Sequence, residues 1–496
     1  MPAASFSPLA GLRPPFVLLE DRLTAGALAR LYRDPVTIVR ADQASDVPAA
    51  MDALEAGLER GLHVAGFMAY ELGHVLEPTL LARMPKTRSG PLLWFGLFPA
   101  PTLINPSDLD AALAALGPPP PITDLRPGHD RSAHVDKVRT VLEWIAAGDV
   151  YQVNLTFPLH FAYHGEPLRL YGALRAAQPV AHGGIAALEE TTILSVSPEL
   201  FVEAQGRQAR VRPMKGTAAR GATPDEDAAL LQALADDPKQ RAENLMIVDL
   251  LRNDLSRVSR PGAVRTPALF TAETYPSFHT LTSTVTAELR SDVRLGDLIA
   301  ALFPCGSIVG APKIRAAEVI GDLEDDARGV YTGAIGAIAP SWDLAFNVAI
   351  RTAVIQANGQ GRYGVGGGVV ADSDPDAEYD EALLKGRVLM ALSEDYGLIE
   401  TFRWSHRAGF VRLDRHLGRL EASANQLGFA VSRSDVEVRL EALAKVWAID
   451  VQDRRVRLEL SRSGAIQITD QAIPAASQGS VTVGVATVRL DAGDPF

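Results

Sequence analysis

The chain has 496 residues, 47% hydrophobic and 22% charged, which are proportions of a folded protein and exclude global disorder and collagen-like repetition. Its 48 Lys and Arg against 60 Asp and Glu leave a net charge of −12, which argues against nucleic-acid binding, a task that needs a basic face. One cysteine, Cys305, excludes an intrachain disulfide and a Cys-rich zinc site. No apolar run reaches the ~20 residues that span a bilayer. The N-terminal MPAASFSPLAGLRPPF lacks the basic start and unbroken apolar stretch of a secretory leader, so a cytoplasmic protein of two or three domains is expected.

In chain order, VTIVRA, LHVAGFMAYEL and PLLWFGLF read as short strands of an N-terminal segment, residues 1–117. A proline-rich linker, 118–133, follows; its four prolines, Pro118 to Pro121, continue neither a helix nor a central strand. The main domain is expected over 134–394. There VDKVRTVLEWIAAGD has helical spacing and stops at Gly148. TILSVSPELFVEAQGRQARVRPMKGT reads as two strands folded about Gln205-Gly206, and AENLMIVDLLRNDLSRV as a buried helix. GVYTGAIGAIAP, LAFNVAIRTAVIQA and GRYGVGGGVVAD alternate like neighbouring strands of one large sheet, and Asp374-Pro375 begins a further helix. A last region, 395–496, reads as a strand (LIETFRW), two helices and two strands. Strand runs with helices between and after them indicate an α+β fold.

Three constellations carry possible chemistry. Glu243 opens one helix, and Glu378 and Glu381 lie three apart on another; such carboxylates suit Mg²⁺, or are simply first-turn acids favoured by the helix dipole. The stretch DSDPDAE is no calcium loop, since Ala377 and Leu383 stand where an EF-hand needs Gly and Glu. In the hairpin reading, Glu199 and Lys215 fall on paired strands, with Gly216 permitting close backbone approach and Thr217 offering a hydroxyl. Finally, YGVGGGVV sets Gly366, Gly367 and Gly368 between strands, offering N–H groups to an anion, with Arg351 on the preceding strand and Lys385 on the following helix.

SPELF, RPMKGTAARG, AENLMIVDLLRNDLSRV, FPCGSIVGAPKIRAAEVI, RGVYTGAIGAI and GVGGGVVADSDPDAEYDEALLK, in this order, resemble the chorismate-utilising enzymes, which include anthranilate, aminodeoxychorismate, isochorismate and salicylate synthases. The resemblance covers about 134–392. It implies two large antiparallel sheets flanked by helices, with chorismate as substrate and Mg²⁺ clamping its ring carboxylate. Carried over, Glu243 and Glu381 match metal ligands and Glu378 a water-mediated one. Tyr331, Arg351, Gly366 to Gly368 and Lys385 match residues that hold the substrate carboxylates. Glu199 matches the general acid for the departing C4 hydroxyl, and His279 a nearby polar residue. Cys305 departs from the family, which usually has a second glycine there.

Two positions select within the family. Gln152 stands where the water-adding members have a lysine base, and an amide cannot deprotonate water, so neutral ammonia is the expected nucleophile. Lys215 stands where anthranilate synthases have a small residue and aminodeoxychorismate synthases a lysine that adds covalently at C2. The resemblance therefore implies amination of chorismate at C4 on the way to 4-aminobenzoate and folate, with anthranilate synthesis as the alternative. Cys305 lies in no nucleophile elbow, so ammonia is expected from a separate glutaminase subunit.

The last hundred residues resemble the first half of the class IV, pyridoxal-phosphate-dependent aminotransferase and lyase fold. Arg419 matches its phosphate-holding arginine, or is a dipole-favoured surface residue. Relatives place the Schiff-base lysine just beyond a DPF sequence, here Asp494 to Phe496, so covalently held pyridoxal phosphate is not expected in this chain.

Overall fold

The computed structural model describes residues 7–473, apart from 222, 276–277, 394–396, 428, 450–451 and 462–463. Residues 7–220 and 228–393 form one unit; 221–227 and 397–473 belong to a second.

The larger unit is built on two antiparallel sheets of ten strands each. In the first, Gln152–Ala162 pairs with Gln360–Val369, which pairs with Thr352–Gln356, then Thr191–Ser197, His182–Ala187 and Phe16–Glu20. In the second, Met214–Ala219 pairs with Phe278–Glu288, then Gln208–Arg212, Leu200–Gln205, Leu344–Val348, Ala334–Ile338, His63–Met68, Leu93–Phe98 and Thr37–Ala41. The three strands read from the N-terminal sequence are the last three of this path. N-terminal strands thus interleave with later ones in both sheets. The proline-rich stretch joins parts of one unit and itself adds Thr123–Pro127 beside Gln152–Ala162.

Alternation explains the layers. Val17 and Leu19 pack with Phe67, Trp94 and Ile335 between the sheets, while Phe16 and Leu18 join Leu170, Tyr171 and Leu174 of an outer helix, Pro167–Ala177. Every residue of FVLLE is buried, because both faces of that strand are covered.

Three readings of the sequence are corrected. The run 191–219 is four strands: Thr191–Ser197 lies in the first sheet and the other three in the second. The hairpin turn at Gly206 exists (φ 56°), but Lys215 pairs with Leu281 and not with the strand after Glu199. LAFNVAIRTAVIQA is likewise two strands, Leu344–Val348 in the second sheet and Thr352–Gln356 in the first. The helix carrying Glu243 spans Pro238–Ser256, capped by Asp237, so Glu243 falls in its second turn; it buries one side (Ile247, Val248, Leu251, Leu255) and exposes Leu245.

The smaller unit has a four-stranded sheet covered by helices Leu413–Leu427 and Arg433–Trp447 around a core that includes Trp404, Leu440, Trp447 and Leu458. Its first strand, Leu398–Ser405, its two helices and its last two strands follow the expected order. Asp494 to Phe496 lie outside the described residues.

Candidate active site

Two neighbouring segments pass between the sheets side by side, and the site forms where they cross. Pro198-Glu199 leads from the first sheet to the second, and Ala349 to Arg351 leads back. The crossings are stitched together: Val348 N–H donates to the Glu199 carbonyl at 3.0 Å, Val196 N–H to the Arg351 carbonyl at 3.1 Å, and the Ser197 hydroxyl to the Val348 carbonyl at 2.6 Å. Arg351 therefore belongs to a crossover, not to a strand as expected, and takes a left-handed backbone (φ 52°) that costs a residue with a Cβ some energy.

Glu199 is 5% exposed, and its Oε1 accepts the Ser307 hydroxyl at 2.7 Å. Burial pushes its carboxyl up to about 7, against the lowering influence of Ser307, Lys215 and the Met214 N–H. Ser307 was not singled out from the sequence. It follows Cys305, whose thiol lies 3.2 Å from the Ser307 hydroxyl and is pushed up to about 12, chiefly by burial.

Lys215 reaches the same place from the second sheet. The register of its strand against Phe278–Glu288 shifts between Lys215 and Thr217, at Gly216 (φ 78°), and this bulge re-aims the lysine. A Cβ at Gly216 would lie 2.8 Å from Gln240 Oε1, so the glycine also admits the helix that carries Glu243. The Lys215 amine is held below the ordinary lysine range, first by desolvation and with a contribution from Lys385; Glu199, Glu243 and Glu381 pull it upward. Thr217 is exposed, while His279, fully buried on the facing strand, has its Nδ1 2.9 Å from Thr274 Oγ1.

The glycine run is a strand, not a loop. Gly366, Gly367 and Gly368 pair with Thr156, Leu155 and Asn154, but the neighbour on the other side ends its pairing at Tyr363. Beyond Tyr363 one edge of the strand is left open to the site. Without side chains it forms a bare floor. A Cβ at Gly368 would lie 3.0 Å from Gln152 Nε2 and 3.2 Å from Lys215 Nζ. Gln152 is fully buried, and neither atom of its amide has a hydrogen-bond partner among the described residues. A polar group so placed is costly unless something arrives to bond it.

On the far side of the floor lie the acids. The helix Pro375–Lys385, capped by Asp374, presents Glu378 and Glu381 toward Gly367. Ser373 donates to Glu378 at 2.6 Å, and Lys385 Nζ to Glu381 at 2.8 Å and to the Gly366 carbonyl at 2.9 Å. Burial raises the carboxyls of Glu243 and Glu378, whereas Lys385 holds that of Glu381 low. Lys239 on the Glu243 helix pairs with Asp372 at 2.9 Å. Among the described residues, no three His, Cys, Asp or Glu side chains converge closely enough to hold a metal unaided. The donor set still fits Mg²⁺, which takes one or two carboxylates and completes its shell with waters and substrate oxygens.

Tyr331 packs its ring over Gly364, where a Cβ would lie 2.2 Å away. Burial raises its hydroxyl, opposed by Arg328 and Arg351. Arg351 donates to the Lys385 carbonyl at 3.1 Å and lies beside Tyr363, whose hydroxyl burial pushes up to about 12 against the lowering influence of Arg351. A cleft of 120 Å³ opens behind Tyr331 toward His129 and Asp325, but of the expected site residues only Tyr331 lines it. In the smaller unit, Arg419 Nε donates to Glu400 at 2.7 Å, and His416 Nδ1 lies 2.7 Å from the same carboxylate.

The profile of the family described as chorismate binding enzyme matches residues 15–391. Aminodeoxychorismate synthase component 1 of Klebsiella aerogenes is 41% identical over 268 residues, 54% of this chain and 59% of the relative. Anthranilate synthase component 1 1 of Haloarcula marismortui is 40% identical over 268 residues, 54% of this chain and 55% of the relative. The chain thus spans under two thirds of the length of these curated relatives. The crystal structure of anthranilate synthase component I from Streptococcus pneumoniae TIGR4 superposes with a TM-score of 0.63 at 22% identity, covering 78% of this chain and 95% of that one. That likeness is one of fold: two large antiparallel sheets with helices.

Proposed function

This chain belongs to the chorismate binding enzyme family, and from that premise we propose that it aminates chorismate at C4 to 4-amino-4-deoxychorismate, as component I of an aminodeoxychorismate synthase. The observation that carries the reading is the Lys215 amine, held below its ordinary range beside the unpartnered Gln152 amide over the bare floor at Gly368. An amine is nucleophilic only when neutral, and desolvation favours that form.

Tyr331, Arg351, Lys385 and the backbone of Gly366 to Gly368 hold the substrate carboxylates, with Gly216, Thr217 and His279 bordering the ring. Glu243, Glu381 and Glu378 would hold Mg²⁺, whose charge anchors the ring carboxylate. Neutral Lys215 forms a bond to C2 while the C4–O bond breaks and Glu199 gives its proton to the departing hydroxyl, which leaves as water. Ammonia then bonds to C4, the C2–N bond breaks with its electron pair returning to Lys215, and Glu199 takes the proton lost by the new ammonium. The net change is ammonia in and water out.

The buried Cys305 thiol is a poor nucleophile, which supports the reading that ammonia comes from a separate glutaminase subunit. The product would feed 4-aminobenzoate and folate synthesis in the cytoplasm. The similarity to an anthranilate synthase favours a second reading, elimination of pyruvate to anthranilate, and Lys215 speaks against it. Incubation with chorismate, Mg²⁺ and ammonium followed by product analysis decides: 4-amino-4-deoxychorismate is expected, and fluorescent anthranilate would overturn the assignment.

A further inference from the structure

Lys385 stands among the carboxylates, not beyond them. A Cβ at Gly367 would lie 2.9 Å from Glu378 Oε2, 3.5 Å from Lys385 Nζ and 3.9 Å from Glu381 Oε1. The ammonium and two acids therefore ring one small space above the bare backbone. Among the described residues that ammonium donates to Glu381 Oε1 and to the Gly366 carbonyl.

We propose that Lys385 is a resident monocation of this pocket, occupying on Glu381 an oxygen that a divalent ion would use, and that the ion's arrival releases it toward the substrate carboxylate. The inference deepens the function proposed above and rests on it for the identity of the metal and substrate. Its physical basis is charge. Glu243, Glu378 and Glu381 repel one another, and in the free protein Lys385 offsets that repulsion at Glu381. A dication entering the same space meets the ammonium as a like charge. Ion binding and lysine release are then linked, and linkage is reciprocal: an ion that frees Lys385 strengthens carboxylate binding, and the bound carboxylate strengthens ion binding.

The test is Mn²⁺ binding to the full chain without chorismate, read from the electron paramagnetic resonance of free Mn²⁺. Lys385→Met should bind Mn²⁺ about tenfold more tightly than the unmodified chain, whereas Lys385→Arg, which keeps the cation, should not. Mn²⁺ should also strengthen chorismate binding, followed by tryptophan fluorescence, in the unmodified chain and far less in Lys385→Met. Should that variant melt early, Lys385→Gln carries the same expectation. Equal or weaker Mn²⁺ binding by a folded Lys385→Met or Lys385→Gln overturns the inference while leaving the metal site standing. Absence of any Mn²⁺ binding by the unmodified chain overturns the metal assignment and this inference with it.

Discussion

Ser307 donates its hydroxyl hydrogen to Glu199 across 108 residues of chain, at 2.7 Å and out of contact with solvent. The general-acid role given to Glu199 requires its protonated form, and the Ser307 bond favours the charged one. Serine thus keeps the acid strong enough to give its proton away. Ser307→Ala should move the alkaline limb of the ammonium-driven pH–rate profile to higher pH and lower the maximal rate, and Ser307→Thr should restore both. An unmoved limb would separate Ser307 from the acid.

Glu199→Gln tests the same carboxyl through stability. Its folded pKa is raised, so the unfolded state ionises first, and stability present below the unfolded value of about 4.5 is lost as pH rises through about 7. The amide substitution should raise the melting temperature at pH 8.5 but not at pH 4, with a ceiling of about 3 kcal/mol at the alkaline end. Differential scanning calorimetry at the two pH values measures it.

Lys215 has the opposite sign. A lysine whose folded pKa is lowered binds fewer protons folded than unfolded, so stability rises with pH up to the ordinary lysine value of 10.5. Lys215→Met should therefore melt higher than the unmodified chain at pH 7.5, with the gap closing toward pH 10.5. The same substitution should cut amination by about 10³-fold or more, the scale on which loss of a covalent nucleophile is felt. Calorimetry and the ammonium assay read the two effects separately.

Two glycines of the floor, Gly366 and Gly368, should respond differently to alanine. At Gly366 the new Cβ would meet the Leu155 carbonyl at 2.3 Å and Thr156 Cα at 2.7 Å, backbone that has nowhere to go. At Gly368 it meets the ends of two side chains. Gly366→Ala should lower the melting temperature markedly, whereas Gly368→Ala should fold normally and weaken chorismate binding by about tenfold. Thermal melts with chorismate titrations distinguish the cases.

Much of this was legible in the sequence because pattern and cap chemistry act locally. The helix Arg131–Ala146 ends before Gly148 (φ 81°), and the strands at 37–41, 63–68 and 93–98 alternate as strands must. The period of two does not say when a chain leaves one sheet for another, so runs through Glu199 and Arg351 read as continuous. Asp237-Pro238 carries a cap and first-turn signal that the reading of Glu243 as the start of its helix passed over. The segment GRYGVGGGVVAD alternates as a strand does, but its three glycines were set between strands; pairing with Gln152–Ala162 carries the strand through them. Ser307 lies within the quoted motif FPCGSIVGAPKIRAAEVI, but nothing local gave it a role, since its partner Glu199 is distant in the chain.

The interleaving of early and late strands governs how the larger unit can assemble during synthesis. Phe16–Glu20 waits for His182–Ala187, and His63–Met68 waits for Ala334–Ile338. Neither sheet closes until the ribosome has delivered most of the unit, so folding is slow and dominated by contacts between residues far apart in the chain. Nascent chains released early would display unpaired strand edges, which makes them clients for chaperones and, unprotected, seeds for aggregation.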